Sequence, residues 1–103
     1  MSGKRALALN PKDNIAVAVE NIQAEEEITV QTRGGQSRSI RVVQNIPFGF
    51  KVALENIPEG QFVFKYGETI GRASQDIKIG EQVHIHNIKG VRVQGKGEKG
   101  ERS

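Results

Sequence analysis

Residues 55–63 read ENIPEGQFV: an asparagine, an isoleucine, two residues, a glycine, and then the start of an apolar run. The same order recurs as ENIQAEEEI at 20–28 and QDIKIGEQV at 75–83. Asn21, Asn56 and Asp76 are side chains that bond backbone two or three residues on, which closes a tight helical turn. Ile22, Ile57 and Ile77 then plug each turn into a core. Gly60 and Gly80 supply a left-handed backbone where the chain reverses into the next strand. Glu25 holds that place in the first copy, which predicts a differently shaped turn there. The copies begin 35 and 20 residues apart, too irregular for a solenoid. This is a corner device, and a chain that uses it repeatedly folds long hairpins over themselves.

The segments between the corners are strand-like. In IAVAV at 15–19 the β-branched residues share one face and Ala16 and Ala18 the other, so the strand is apolar on both sides and belongs in a sheet centre. EITVQTR and RSIRVV alternate on either side of Gly34-Gly35, the pattern of a β-hairpin. KVAL at 51–54, FVFKY at 62–66, EQVHIH at 81–86 and VRV at 91–93 complete the set. No segment sustains a helical period over ten residues. The expected fold is all-β, built of folded-over hairpins with short helical turns.

Length and composition agree. A chain of 103 residues makes one domain with a modest core, and a mean hydropathy of −0.47 keeps that core economical. With no cysteine, disulfides, thiolate metal sites and a thiol nucleophile are excluded. No apolar run approaches the ~20 residues of a membrane helix, and MSGKRALALNPKDN breaks too soon for a signal peptide. The expectation is a cytoplasmic protein without a membrane partner. The formal charge of +3 lies wholly in residues 89–103, with five basic and two acidic side chains; residues 1–88 balance at ten each. That divides the chain into a domain at 1–88 and a basic, disordered tail at 89–103. Charge confined to such a tail argues against a nucleic-acid partner.

Two stretches carry candidate chemistry. QVHIHN at 82–87 holds both histidines, His84 and His86. On a strand they point one way while Val83 and Ile85 enter the core. Two imidazoles on one face can approach a divalent ion, with further ligands supplied from elsewhere, or they are simply the wet face of a strand. FKYGETIGRA at 64–73 holds Lys65, Tyr66 and Arg72, suited to contact with an acidic substrate or a partner, or to solvent, with Gly67 and Gly71 bracketing a tight turn. All five aromatic residues fall between 48 and 66, and core packing explains that cluster better than base stacking. Neither a phosphate loop nor a GxSxG motif is present.

NPKDNIAVAVENI at 10–22, KYGETIGRASQDI at 65–77 and VHIHN at 83–87 resemble the SAF domain of the altronate and galactarate dehydratase family, over roughly residues 7–88. The likeness extends to the separate small subunits of two-subunit relatives such as sulfolactate sulfo-lyase. The resemblance implies a β-clip fold and a hydro-lyase reaction, β-elimination of water or sulfite from a sugar acid or related hydroxy acid. It implies a large dehydratase-type catalytic subunit as partner, without which the small domain is inactive. It implies a divalent metal, iron(II) first, bound mainly by that partner. On this resemblance His84 and His86 become the catalytic and metal-binding pair. Lys51, Lys65, Tyr66, Arg72 and Asn87 become the substrate-binding set, with Asn87 orienting an imidazole or bonding a substrate hydroxyl.

One position departs from the family. Members commonly read Gly-His-Lys where this chain reads Gly49-Phe50-Lys51. A non-catalytic paralogue, an altered substrate, a group drawn from the partner, or packing of Phe50 into the aromatic cluster each account for it. The competing function is a non-catalytic SAF module that binds a carbohydrate, an acid or a protein. Unpaired sheet edges also leave room for a homo-oligomer.

Overall fold

The computed structural model describes residues 3–90. They form β1 (Arg5–Ala8), β2 (Ile15–Ala18), β3 (Glu27–Thr32), β4 (Ser37–Arg41), β5 (Lys51–Ala53), β6 (Phe62–Lys65), β7 (Glu68–Ala73), β8 (Gln82–Val83) and β9 (Ile88–Lys89). No helix occurs among the described residues, so none is long and apolar enough to cross a membrane. A six-stranded sheet runs β4-β3-β1-β2-β5-β8 and a three-stranded sheet runs β6-β7-β9. Pairing is antiparallel except between β1 and β3. The fold is all-β, as the strand patterns require. The β3–β4 hairpin turns at Gly34 and Gly35, both with positive φ.

β2 and β5 lie inside the large sheet and bury apolar residues on both faces, which divides the interior in two. One core takes Ala16 and Ala18 of β2 with Val52 and Leu54 of the β5 segment, together with Ile28, Val30 and Ile40. The other takes Ile15, Ala53 and Val83 from the large sheet with Val63 and Ala73 from the small one. The second core thus joins the two sheets, and its rim becomes important below.

Corners hold the folded hairpins in register, and they work in pairs. Ile22 and Ile46 exchange amide–carbonyl bonds of 2.9 and 2.8 Å; Ile57 and Ile77 do the same at 2.7 and 2.9 Å. The Asx side chains do not bond two or three residues on, as the spacing predicts. They reach across to the opposite corner. Asn56 Oδ1 accepts from the Ile79 amide at 2.9 Å and Asp76 Oδ1 from the Glu59 amide at 2.8 Å. Asn21 Oδ1 accepts from the Phe48 amide at 2.8 Å and Asn45 Oδ1 from the Ala24 amide at 2.9 Å. Residues 45–49, NIPFG, are therefore a fourth copy of the device, paired with the first. The reach across has a physical reason. Each turn already closes through its own backbone, as in the 3.0 Å bond from the Gln61 amide to the Pro58 carbonyl, which leaves the side-chain oxygen free for a partner. Glu25 does adopt the left-handed conformation of its glycine counterparts, at φ 75°. Gly80 has a second reason to be glycine, since a β-carbon there would strike the Arg41 carbonyl oxygen.

Three local expectations change. EQVHIH is a strand only at Gln82–Val83. Gly71 brackets no turn; it lies inside β7, buried, where an added β-carbon would stand 2.6 Å from the Lys89 carbonyl oxygen. β9 carries the ordered pairing across residue 88 to Lys89, while VRV at 91–93 and the remainder of the tail lie outside the described residues.

Candidate functional site

The two histidines do not share a strand face. Past Val83 the chain leaves β8, because Asn87 pulls it into a turn. Asn87 Oδ1 accepts from the His84 amide at 2.9 Å and its Nδ2 donates to the Gln82 carbonyl at 2.8 Å. The amides of Asn87 and Ile88 both donate to the His84 carbonyl, at 3.0 and 3.1 Å. Asn87 is 1% exposed, and its own carbonyl accepts from Ser74 at the end of β7. With both side-chain groups engaged by backbone, it holds the turn and orients no imidazole directly. Ile85, expected in the core, is 81% exposed at the tip. His86 beside it is exposed, and His84 is half-buried.

His84 has a ring neighbour set by the ladder. Lys51 pairs with Val83, and that register continued by one residue sets Phe50 opposite His84. Their ring centroids lie 4.7 Å apart with planes tilted by 42°. Phe50 also packs on the first core, and its ring contact is with His84 rather than with the aromatic residues of β6.

Lys51 and Lys65 face the other side of the sheet. Alternation along β5 puts Lys51 on the side of Ala53, and alternation along β6 puts Lys65 on the side of Val63. Both neighbours belong to the second core, so each lysine lies at its rim. Burial lowers the Lys51 pKa, and repulsion from Lys65 lowers it further.

The other cation of the group is elsewhere. Arg72 pairs with Phe62 on the outer face of the small sheet, with its guanidinium 4.8 Å from that ring's centroid. Tyr66 is exposed at the β6–β7 turn with φ 54°, and the Lys65 ammonium lies 5.2 Å from its ring centroid. This hairpin is fastened by residues that strand patterns do not single out. Asn14 donates to the Phe62 carbonyl at 2.9 Å and accepts from the Phe64 amide at 2.8 Å; Asp13 accepts from the Gly67 amide at 2.8 Å. The signal was a pair of short polar residues just before the IAVAV run, where local hydrogen bonding to loops is common.

No group of three or more His, Asp or Glu among the described residues is placed to hold a metal ion. With His84 packed on Phe50, the residues present do not by themselves fit a resident iron. The hollows at Ala8–Gln36 and at the Asn56–Asp76 corner pair, of about 130 and 100 Å³, contain none of the residues discussed above except those of the corners. Both, and a third of about 240 Å³ lined by Gln31, Thr32, Gly35, Gln36 and Ser37, are below the ~300 Å³ at which small-molecule pockets begin.

The chain has clear relatives. It is 40% identical over 86 residues to altronate dehydratase of Bacillus subtilis, covering 84% of this chain but 16% of that protein. Altronate dehydratase of Escherichia coli is 34% identical over 83 residues, again with 16% of its length matched. The chain thus spans about one sixth of these enzymes. A relative of similar size is the (2R)-sulfolactate sulfo-lyase subunit alpha of Chromohalobacter salexigens, 39% identical over 75 residues, with 71% of this chain and 79% of the subunit covered. Residues 4–91 match the altronate/galactarate dehydratase SAF domain. The pairing of corners, the His84–Asn87 turn and the rim lysines all lie inside that span, and the chain belongs to the altronate/galactarate dehydratase SAF domain family.

Proposed function

We propose that this chain is the small SAF module of a lyase that acts on a sugar acid or related hydroxy acid together with a larger catalytic body. The observation that carries the reading is the match to 79% of a sulfo-lyase subunit alpha, a protein of comparable size whose name makes it one subunit of an enzyme. The three hollows described among residues 3–90, of about 130, 100 and 240 Å³, are small for a sugar acid, and in this reading the partner completes the pocket. The β-clip description suits the paired corners, and a cytoplasmic location suits a metabolic lyase.

In the proposed reaction a proton leaves the carbon next to the carboxylate, and hydroxide or sulfite leaves from the following carbon. His86, exposed at the turn tip, takes or returns a proton when the partner closes over it; His84 stands beside it in the same turn. Lys51, Lys65 and Tyr66 contribute to holding the acid, Arg72 contacts the partner from the outer face, and Asn87 keeps the turn in shape. Any divalent metal of the reaction is held by the partner's residues.

The test is co-purification of the chain, tagged at natural abundance, from its own cells. Recovery of a large dehydratase-type or sulfo-lyase-type subunit in stoichiometric amount supports the reading. Recovery of the chain alone supports the second reading, a non-catalytic binding module. That reading draws on Phe50, whose ring occupies one side of His84.

A further inference from the structure

β4 is an edge strand of the large sheet. Its even-numbered residues face β3: the Val42 amide donates to the Glu26 carbonyl and the Gln36 carbonyl accepts from the Thr32 amide, each at 3.0 Å. Ser37, Ser39 and Arg41 alternate with these and turn their amides outward, where no described residue bonds them. The other edges are treated differently. Residues 43–45 lie along β8 and the residues before it: the Val43 amide donates to the Gly80 carbonyl, the Gln82 amide to Gln44 Oε1, and Gln82 Nε2 to the Asn45 carbonyl. Asn14 bridges the Phe62 carbonyl and the Phe64 amide of β6. β9, the remaining edge, is two residues long. Proteins guard a bare edge with free charge, proline or a bulge. β4 contains no proline and pairs with β3 without a register shift. Its two arginines are engaged away from the edge, Arg38 with the Leu54 carbonyl at 3.0 Å and Arg41 with Glu25 at 3.2 Å.

We propose that β4 pairs antiparallel with β4 of a second copy of this chain, about a two-fold axis at Ser39. An added strand bonds through main-chain groups, and a two-fold axis lets one edge serve both copies. Charge and access fix the register. An axis at Arg38 or Arg41 would set like charges opposite one another. An axis at Ile40 would carry the second strand past Arg41, whose carbonyl is screened by Gly80. An axis at Ser37 would leave half of β4 unpaired. With the axis at Ser39, the two Ser39 residues exchange amide–carbonyl bonds, and each Arg41 amide donates to the Ser37 carbonyl of the other copy. Opposed residues share a sheet face, so each Arg41 side chain then lies beside the Ser37–Gln31 pair of the other copy. That pair lines the hollow of about 240 Å³ formed with Thr32, Gly35 and Gln36. The hollow offers amide and hydroxyl oxygens and no charged side chain, which suits the Arg41 guanidinium, whose side chain is 67% exposed in the single copy. The dimer does not depend on the lyase-module reading.

The experiment is sedimentation equilibrium of the full chain from about 10 μM to about 1 mM, the range that a short interface requires. The parent chain should pass from monomer to dimer across it. Ser39→Lys and Ser39→Asp each set like charges opposite one another on the axis, so each should remain monomeric, and their equimolar mixture should dimerise again. Ser39→Pro removes only an outward amide, which an edge strand tolerates, and should also be monomeric. Arg41→Ala should weaken the dimer about tenfold, the loss of one charge-assisted contact, while Arg72→Ala, on the small sheet, leaves it unchanged. Amide correlation spectra report that each variant is folded. A parent chain that stays monomeric, or a dimer that survives both Ser39→Lys and Ser39→Pro, overturns the pairing. Loss of the dimer in both charge variants without recovery on mixing overturns the axis at Ser39. A monomeric chain whose Ser37 and Ser39 amides gain protection from hydrogen exchange only when another protein is added overturns the second copy and gives the edge to a strand of that protein.

Discussion

Phe50 and His84 face one another across the end of the β5–β8 ladder, with ring centroids 4.7 Å apart. The contact shields one side of the imidazole, while His86 two residues on is exposed. Reaction of the folded chain with diethyl pyrocarbonate should therefore modify His86 first, as read by peptide mass spectrometry. Phe50→Ala should bring the two rates together. It should also cost about 2 kcal/mol in urea denaturation, a fraction of a full core Phe→Ala loss because Phe50 is half-buried. Equal rates in the parent chain would contradict the pairing.

Asn87→Ala removes both bonds that hold the His84–Asn87 turn and leaves the His84 amide and the Gln82 carbonyl without their side-chain partner. The expected loss is about 3 kcal/mol by chemical denaturation. Asn87→Asp does not rescue it, since a carboxylate oxygen would then face the Gln82 carbonyl. A near-neutral Asn87→Ala would show that the turn is held by other means.

The corner pairs are expected to behave as two independent clasps. Asn56→Ala and Asp76→Ala should each cost about 1 kcal/mol, the worth of one side-chain bond to a turn amide. Combined, they should depart from additivity by at least ~0.5 kcal/mol, because they close the same pair. Asn56→Ala combined with Asn21→Ala, which belongs to the other pair, should be additive within ~0.5 kcal/mol. Additivity throughout would mean that the corners do not act in pairs.

How much of this was legible beforehand differs by feature. The two apolar faces of IAVAV announced a central strand, and β2 does line both cores. Three of the four corners were visible as a local order of residues. The fourth, 45–49, was hidden because Phe48 and Phe50 drew attention as an aromatic cluster. The pairing of corners was illegible, since its side-chain bonds join residues 17 to 27 apart and local spacing carries no such information. VHIH alternates as a strand does, and only the buried amide of Asn87 overrides that pattern. Lys51 and Lys65 are 14 positions apart and lie on strands of different sheets that share one core, a relation local spacing does not carry.

Stability rises with pH at two sites, because a cost is removed at one and a contribution is gained at the other. The Lys51 pKa lies below the ordinary 10.5 because of burial first and Lys65 second. The unfolded chain thus holds that proton more tightly than the folded one. At neutral pH the folded state bears the full cost. Between the lowered pKa and 10.5 stability rises with pH, and above that window Lys51 contributes nothing. Lys51→Met should raise the urea midpoint at pH 7; a fall would mean that the ammonium has a stabilising partner. The Glu26 pKa is lowered chiefly by the bond from the Gln23 amide. Its contribution is present above the ordinary 4.5 and lost as pH falls through the lowered value, so Glu26→Gln should flatten the acid limb of the stability curve.

The central claim is that this chain completes the active site of a larger lyase. The most direct measurement adds the purified chain to the purified large subunit proposed as its partner and follows formation of the 2-keto product from altronate and from sulfolactate. The account predicts little turnover by either component alone, turnover on mixing, and a loss of at least ~100-fold with His86→Ala, the contribution of one proton-transfer group. A large subunit fully active without this chain, or a mixture indifferent to His86, would contradict it.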